Sequence, residues 1–236
     1  MIISETKSFA FIHVPKCAGT SIRNSLFPYD TRNNYFWLHY NIPGASETCA
    51  NLAIDKAHMP LAILKNLYPN DFRLLSELTT FAASRHPLKR LISAFFEPRK
   101  ELLELAASEK SHECIAQIQD TFNQYISCLT TEANFLDHRF THATPQTFYH
   151  IYKGKVMTDA TIKLEDPMSG IARLKYLNPT AGLAVERALK ASAKDVTILP
   201  NQLNLWKSLA PELQKKCADL YQDDCELLGY EFNDMS

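Results

Sequence analysis

A strand-like segment that leads into a lysine-containing turn and then into a helical pattern constrains the fold of this chain most. The apolar run FAFIHV is followed by a Pro-Lys pair, a turn of small residues and apolar residues at helical spacing. This order predicts a buried strand over Phe9–His13 and a helix over Thr20–Leu26. Backbone N–H groups at the start of such a helix have no intrahelical acceptor, so they suit a phosphate or sulfate group. Lys16 would add a positive charge there, and Thr20 and Ser21 would add hydroxyl donors.

Length and composition are those of an ordinary globular protein. The chain has 236 residues, of which 46% are hydrophobic and 22% charged, and we expect residues 1–236 to form one domain. The net charge of −1 gives no overall attraction to nucleic acid or to an anionic membrane. The sequence shows neither an apolar run of bilayer length nor a signal-peptide pattern. We therefore expect a cytoplasmic protein without an integral membrane segment or a nucleic-acid partner.

The six cysteines show neither zinc-site spacing nor a C-x-x-C pair, so we expect no metal site from them. Several lie on apolar helical faces, where cysteine behaves as a small hydrophobic residue, and reduced thiols are the simplest interpretation. Cys17 differs because it lies in the anion-binding turn, where the pKa of a thiol can be lowered. A requirement for a small side chain explains Cys17 more simply.

Strand and helix patterns alternate in the first half of the chain, and helices dominate afterwards. Alternation of this kind predicts a parallel sheet flanked by helices, with the Lys16 turn at the carboxyl ends of the strands, where ligands bind in such sheets. The stretch 130–149 is polar and aromatic and is expected to be a loop. The other predicted elements are strands over 35–39, 78–84 and 160–164, and helices over 60–67, from Pro87, after Pro98, over 115–129, 167–177, 182–193 and 211–228, the last ended by Gly229.

A second segment combines a strand end with cations and a hydroxyl group. Arg85 and His86 follow the predicted strand over 78–84, and Pro87 begins a helix whose apolar residues recur at helical spacing. The forked guanidinium of Arg85 suits a phosphate at this position. Ser93 lies on the polar face of the helix, away from its apolar stripe.

Neither segment is specific when taken alone. The first differs from a Walker A motif because Lys16 precedes Gly19, whereas that motif places its lysine after the second glycine. A plain strand–turn–helix junction, capped by Thr20 or Ser21, explains the first segment equally well. The second segment, taken alone, is typical of a solvated helix face with two surface cations.

Together and in this order, the two segments resemble the sulfotransferase superfamily, especially its carbohydrate (family 2 type) branch. Pro15–Ser21, PKCAGTS, resembles the loop that binds the 5′-phosphosulfate of 3′-phosphoadenosine 5′-phosphosulfate (PAPS). Residues 85–93 resemble the 3′-phosphate motif R-x-P-x-x-R-x-x-S, with His86 in place of the usual Asp. Weaker resemblances, which extend over almost the whole chain, are to a P-Q…E segment at Pro145, Gln146 and Glu165 and to a C-terminal ending at Tyr221–Asp224 and Leu228–Phe232.

The resemblance implies a P-loop-NTPase-like three-layer α/β sandwich with a central, mainly parallel sheet and a helix-rich C-terminal part. It also implies transfer of a sulfuryl group from PAPS to a hydroxyl, on a carbohydrate, with adenosine 3′,5′-bisphosphate as product and without a metal. Lys16 would stabilise the leaving oxygen, while Arg85 and Ser93 would bind the 3′-phosphate. The 5′ end of the donor would be bound by Lys16 together with Cys17, Ala18, Gly19, Thr20, Ser21 and Ile22.

A general base should remove the acceptor's proton, because a hydroxyl has a high pKa, and a neutral histidine suits this task. His58 stands where many members of the family carry a catalytic histidine, so the resemblance implies His58 as the base. His39 and Glu165 are alternatives, and a lone histidine is as often a surface or capping residue. Three further histidines lie in or just beyond the aromatic stretch and could line an acceptor groove: His138, His142 and His150.

Two other functions stay open at this point. A P-loop-like nucleotide kinase is disfavoured by the position of Lys16, and a non-catalytic nucleotide-binding module of the same fold would lack the base. The acceptor and the oligomeric state are not specified by the sequence. A set of aromatic residues could either stack on sugars or pack in the core: Tyr35, Phe36, Trp37, Phe135, Phe140, Phe148 and Tyr149.

Overall fold

The computed structural model describes residues 1–37, 55–108, 112–129, 139–192 and 204–232, and within these ranges a mostly parallel sheet lies at the centre. The strands are β1 (Ile2–Ser4), β2 (Phe9–Ile12), β3 (Thr79–Ser84), β4 (Ile151–Tyr152), β5 (Lys155–Val156) and β6 (Ala160–Lys163). The sheet order is β1-β2-β3-β6; β1 is antiparallel to β2, and the other pairs are parallel. β4 and β5 form a separate short hairpin.

Helices cover the sheet and make up most of the C-terminal part. Helix α1 (Gly19–Leu26) packs against α9 (Pro179–Ser192), α9 packs against α8 (Pro167–Leu177), and α8 packs against β6. Short 3₁₀ helices span Phe27–Tyr29, Lys56–His58 and Thr141–Ala143. The α-helices are α1 (Gly19–Leu26), α2 (Leu61–Leu67), α3 (Pro69–Leu74), α4 (Pro87–Phe96), α5 (Lys100–Ser108), α6 (His112–Cys128), α7 (Thr147–His150), α8 (Pro167–Leu177), α9 (Pro179–Ser192), α10 (Leu205–Ser208), α11 (Pro211–Leu220) and α12 (Gln222–Leu228).

Buried apolar side chains pack into two clusters. One surrounds the sheet and includes residues of α1, α2, α8 and α9. The other lies between α4, α6 and the C-terminal helices. β2 is buried along its whole length, which explains why its sequence is continuously apolar rather than alternating.

Parallel pairing brings three strand ends to one edge of the sheet. β2 and β3 pair in register from Phe9 with Thr79 to Ile12 with Ala82, and β3 pairs with β6 up to Ser84 with Lys163. The chain segments after β2, β3 and β6 therefore leave the sheet side by side. These segments carry the Lys16 turn, the Arg85 turn and Glu165, as the sequence predicts for an open parallel sheet.

Most predicted elements are confirmed, but several predictions need correction. The strand predicted over 35–39 is wrong for residues 35–37, which form turns; residues 38 and 39 lie outside the described residues. Asn33 and Asn34 have φ of 50° and 67°, and the Asp30 carboxylate accepts from the N–H groups of Arg32 and Asn34, so this segment folds on itself. The loop expected over 130–149 contains a 3₁₀ turn and α7, whereas residues 130–138 lie outside the described residues.

The helix predicted over 211–228 is divided into α11 and α12 at Tyr221. The Tyr221 side chain is fully buried, and its hydroxyl donates to the carbonyl of Ala143 at 2.7 Å, so tertiary packing fixes the bend. Gly229 ends α12 with a φ of 63°, as predicted. Sequence patterns also missed β1 and the β4–β5 hairpin, because strands this short carry little periodicity.

Candidate active site

The turn after β2 presents free donors at the N-terminus of α1. Lys16 and Ala18 have φ of 63° and 54°, so left-handed residues flank Cys17 and curve the backbone into a concave shape that suits an anion. Ile22 N–H donates to Ala18 C=O at 3.2 Å, the first helical bond. The N–H groups of Gly19, Thr20 and Ser21 precede that bond and have no intrahelical acceptor.

Gly19 is required because the ring of His13 lies against it. A Cβ at Gly19 would lie 1.8 Å from His13 Nε2. His13 is itself buried and held in place, with its ring stacked on Trp37 at a centroid distance of 5.8 Å and an interplanar angle of 4°. The packing of His13 against Gly19 fixes the start of α1.

Lys16 pairs with a carboxylate that the sequence analysis did not single out. Its Nζ donates to Glu97 Oε2, at the C-terminal end of α4. Burial raises the pKa of the Glu97 carboxyl, but the hydrogen bond and charge of Lys16 outweigh burial and leave that pKa below its ordinary value. The positive charge of Lys16, which would face the sulfuryl donor, is therefore balanced by Glu97 within the protein.

The second turn follows β3 and is organised by His86. His86 Nδ1 accepts from Leu88 N–H at 3.2 Å and caps α4. Because Nδ1 is an acceptor, the ring proton is on Nε2, which donates to the Glu231 carbonyl at 3.0 Å. His86 thus performs the capping role that an Asp would have at this position. Arg85, two residues before α4, and Ser93, within α4, are both partly exposed.

Gln146 joins the two turns directly. Its Oε1 atom accepts from Arg85 N–H at 3.0 Å and from Cys17 Sγ–H at 3.5 Å, and its Nε2 donates to the Arg85 carbonyl at 2.9 Å. Gln146 is fully buried, and Arg85 is partly exposed, so the bonds are shielded from water on the Gln146 side. One amide therefore sets the spacing between the Lys16 turn and the Arg85 turn.

A buried acid and a buried arginine support Gln146 from behind. Asp224 accepts from the N–H groups of Gln146 and Thr147 at 2.9 and 2.8 Å, and from Gln146 Nε2 at 3.3 Å. Arg90 Nη2 lies 4.0 Å from Asp224, and Arg90 Nη1 donates to the His142 carbonyl at 2.8 Å. Burial raises the pKa of Asp224, and Arg90 opposes that rise. Arg90, the second arginine of the R-x-P-x-x-R-x-x-S motif, is fully buried, so its role is structural.

Glu165 is held in place at the end of β6. Its Oε1 accepts from His86 N–H at 2.8 Å, and its Oε2 accepts from the Tyr230 hydroxyl at 2.8 Å. Both oxygens therefore serve to fasten the Arg85 turn and the C-terminal segment. These bonds favour a positioning role for Glu165 over a role as a base.

His58 lies next to the Lys16 turn, in contact with His13. The ring centroids of His58 and His13 are 4.2 Å apart, and His58 Nδ1 lies 3.1 Å from the His13 carbonyl. A carbonyl only accepts, so the proton is on Nδ1 and the lone pair is on Nε2. Burial lowers the pKa of His58 to about 4, against the opposing charge of Asp55, so the imidazole is neutral at pH 7. It therefore has the form that a general base requires.

His142 connects the surroundings of His58 to those of Lys16. Its ring is edge-on to His58 at 5.1 Å, and burial, with a smaller effect of the Lys16 charge, lowers the pKa of His142. Asp55 caps the short helix that carries His58, accepting from Ala57 N–H at 2.8 Å.

The thiol of Cys17 is unreactive, because burial raises its pKa to about 12. The structure therefore favours a small-residue role for Cys17.

The comparison with protein families agrees with this geometry. A family model described as the sulfotransferase family matches residues 1–231, nearly the whole chain. The chain belongs to the sulfotransferase family. It is a transferase of sulfur-containing groups, and its mixed α/β fold with a central, mostly parallel sheet is consistent with that family. No curated protein and no solved structure showed significant similarity to the chain.

The sulfotransferase keeps most of the described aromatic candidates inside its core. Phe36 and Tyr149 are buried, Phe148 packs against the sheet cluster, and Phe140 packs against Tyr125. Tyr35 is 40% exposed, and Lys56 Nζ lies 4.0 Å from the centre of its ring. Phe135, His39 and His138 lie outside the described residues. Among the described helices, none is long and apolar enough to cross a bilayer.

Sequence patterns missed two groups that the sulfotransferase places in its site. Glu97 directly follows the apolar stripe of α4, and only its pairing with Lys16 reveals its position. Asp55 lies three residues before His58, a spacing typical of a side chain that caps a short turn. His150, in contrast, is buried beside Thr158, and no contact among the described residues joins it to His58.

Proposed function

We propose that this sulfotransferase moves a sulfuryl group from PAPS to a hydroxyl of a carbohydrate acceptor, with adenosine 3′,5′-bisphosphate as product. The bridge made by Gln146 carries the proposal, because it ties the Lys16 turn to the Arg85 turn through a single buried amide. Two anion-binding turns at a fixed separation suit a ligand with an anionic group at each end. A P-loop-like three-layer arrangement is part of this proposal.

The Lys16 turn would bind the 5′-phosphosulfate. The N–H groups of Gly19, Thr20 and Ser21 would donate to its oxygens, with the Thr20 and Ser21 hydroxyls beside them. Lys16 would leave Glu97 and stabilise the charge that develops on the bridging oxygen as the nucleotide departs. Sulfuryl transfer then depends on position and charge rather than on covalent chemistry by the protein.

Arg85 and Ser93 would bind the 3′-phosphate. Among the described residues, no carboxylate forms an ion pair with the Arg85 guanidinium, so its donors are available to a phosphate. His86 and Gln146 fix the backbone on which Arg85 stands. This contact would distinguish PAPS from nucleotides that lack a 3′-phosphate.

His58 would remove the acceptor proton through Nε2. The Nδ1–H bond to the His13 carbonyl fixes the tautomer, so the lone pair that would accept the proton is on Nε2. The choice of a sugar as the acceptor follows from the resemblance of the two motifs to the carbohydrate branch of the family.

Isothermal titration with adenosine 3′,5′-bisphosphate, adenosine 5′-monophosphate, ADP and ATP tests the donor assignment. We expect the 3′-phosphorylated nucleotide to bind most tightly, and Arg85→Ala to weaken it about 10- to 100-fold, the effect of one lost charge-assisted contact. Arg187→Ala, an exposed arginine on α9, is the matched control and should change nothing. Equal weakening of adenosine 5′-monophosphate by Arg85→Ala would contradict the role of Arg85.

Transfer of labelled sulfate from PAPS to a panel of sugars, phenols and steroids tests the chemistry and the acceptor class. His58→Asn keeps a donor near the Nδ1 position and removes the base, so kcat should fall about 10²- to 10⁴-fold with nucleotide affinity preserved. Lys16→Ala should abolish transfer. Normal turnover in either variant would refute the corresponding assignment.

A further inference from the structure

Three potential metal ligands converge beside the Lys16 turn. One ligand atom each from Asp55, His58 and His142 lies within 4.8 Å of the other two. His142 is far from the other two in sequence, so no spacing motif announces the group. We propose that these three side chains bind a divalent transition-metal ion, with Zn²⁺ as the best match, and that the ion inhibits sulfuryl transfer. The inhibition, unlike the binding, rests on the proposed role of His58 as the base.

His58 is oriented as a metal-binding histidine usually is. Its Nδ1 hydrogen bonds to the His13 carbonyl at 3.1 Å, so Nε2 carries the lone pair and is 3.9 Å from Asp55 Oδ2. Histidines that bind metals commonly donate their second ring N–H to a carbonyl or carboxylate, which fixes both tautomer and ring angle. This outer contact exists here without the ion.

Asp55 and His142 are also held from outside the cluster. Asp55 Oδ1 accepts from Ala57 N–H at 2.8 Å, which leaves Oδ2 directed toward His58. The carbonyl of His142 accepts from the buried Arg90 at 2.8 Å, so the short helix that carries His142 is anchored to α4. The His58 ring and the Asp55 carboxylate therefore begin from restrained positions, and the backbone that carries His142 is fixed, which lowers the entropy cost of assembling the site.

The ligand set selects among metals. Two imidazoles and one carboxylate suit Zn²⁺ and neighbouring transition metals, whereas Mg²⁺ and Ca²⁺ prefer oxygen ligands throughout. Tetrahedral Zn²⁺ has bonds of about 2.0–2.2 Å and hence ligand atoms ~3.3 Å apart, so the side chains have to close by roughly an ångström. Three protein ligands leave a fourth position for water.

Binding would remove the proposed base. The lone pair on His58 Nε2 that would accept the acceptor's proton would instead bind the ion, so transfer stops without any loss of the donor-binding turns. Lys16 is paired with Glu97 nearby, so the positive charge of Lys16 is balanced and does not oppose the ion at full strength. Chelation should reverse the inhibition, because no covalent change takes place.

Titration of the metal-free full-length protein with CoCl₂, followed by displacement with ZnCl₂, tests the binding directly. Tetrahedral Co²⁺ absorbs strongly in the visible range, and we expect one equivalent to bind. Asp55→Asn keeps an oxygen to cap Ala57 and loses only the charge, and His142→Gln loses a ligand; each should weaken binding at least about tenfold. His112→Gln, an exposed histidine on α6, is the matched control and should bind as the parent protein does.

Two outcomes overturn the metal site. Thiolate-to-cobalt absorption in the near ultraviolet would place the ion on cysteine, and unchanged affinity in both Asp55→Asn and His142→Gln would place it elsewhere. Circular dichroism of each variant checks that its fold is retained.

Transfer assays separate the metal site from the proposed function. We expect Zn²⁺ to inhibit the parent protein at the concentration that fills the site, and EDTA to restore the full rate. Asp55→Asn should be inhibited only at about tenfold higher Zn²⁺ concentration, with its own metal-free rate as the reference. Stoichiometric binding without inhibition would overturn the inhibitory role and, with it, His58 as the base. Normal metal-free transfer with no metal binding would overturn this inference alone.

Discussion

Replacing Gln146 by methionine should loosen both turns of the proposed donor site and destabilise the whole protein. Methionine keeps the length and approximate volume of glutamine but has no comparable hydrogen-bonding group. In Gln146→Met, Arg85 N–H and C=O both lose their partner, and Asp224 keeps two of its bonds and loses the one from Nε2. The Cys17 thiol also loses its acceptor, a weak contact.

The magnitude follows from the two Arg85 backbone groups. Each polar group left unpaired in a fully buried place costs about 1–3 kcal/mol. Arg85 is partly exposed, so the two groups together should lower the free energy of unfolding by about 2 kcal/mol, the lower limit for two buried groups. A typical domain has only about 5–15 kcal/mol in total. Because the freed groups belong to Arg85, we also expect affinity for adenosine 3′,5′-bisphosphate to fall more than affinity for adenosine 5′-monophosphate.

Urea unfolding followed by circular dichroism measures the first effect, and isothermal titration measures the second. Gln214→Met is the matched control: Gln214 Nε2 also donates to two backbone carbonyls, those of Trp206 and Leu209, but it is half-buried within the C-terminal helices. Water can replace those bonds, so the control should lose at most about 1 kcal/mol. A loss as small in Gln146→Met, with nucleotide affinities unchanged, would refute the bridging role.

Three further substitutions probe the two turns. Gly19→Ala should cost about 1–3 kcal/mol and weaken nucleotide binding, because its Cβ would displace the buried His13 ring; an unchanged urea midpoint would contradict this. His86→Ala should cost about 0.5–2 kcal/mol through loss of the α4 cap, and His86→Asp should recover most of it; equal losses in the two variants would show that capping is not its role. Glu97→Gln should tighten PAPS binding by at most about fivefold, since it frees Lys16 from an exposed ion pair, and weaker binding would instead make Glu97 part of the donor site.

The strands and helices that form the sheet edge were predictable from local patterns. β2 is a continuous apolar run, β3 is a run of small and apolar residues, and each is followed by a Pro-containing turn. Both runs lack the polar alternation of a half-exposed strand because both strands are buried in a parallel sheet. The bend at Tyr221 was not predictable, because its cause is a hydrogen bond to Ala143, a partner distant in the chain. Elements set by tertiary contacts rather than by periodicity are those that sequence patterns missed.

The residues of the candidate site, like the secondary-structure elements, fall into a predictable group and an unpredictable group. Lys16 and Arg85 belong to short motifs in which the chemistry and the turn geometry are encoded together, so their neighbourhood could be predicted. The contacts that complete the site join distant parts of the chain: Glu97 to Lys16, and Gln146 to both turns. Nothing local in the sequence distinguishes Glu97 from a surface residue, and Gln146 stands out only through its resemblance to the P-Q…E segment of the family. The roles of both residues become visible only when the fold brings the two turns together.

Helix α4 couples the two ends of the proposed donor site. Its start carries Arg85 and the cap His86, and its far end carries Glu97, which holds Lys16. Ser93 lies four residues before Glu97, hence on the same face of the helix. A sulfonate that reaches Lys16 has to displace a carboxylate attached to the helix whose other end would hold the 3′-phosphate. An exposed ion pair of this kind contributes at most about 1 kcal/mol, whereas a charge-assisted contact contributes about 1.5–3 kcal/mol, so the exchange favours the donor. The pairing with Glu97 therefore costs little affinity for the donor, and it balances the Lys16 charge that would otherwise attract smaller anions.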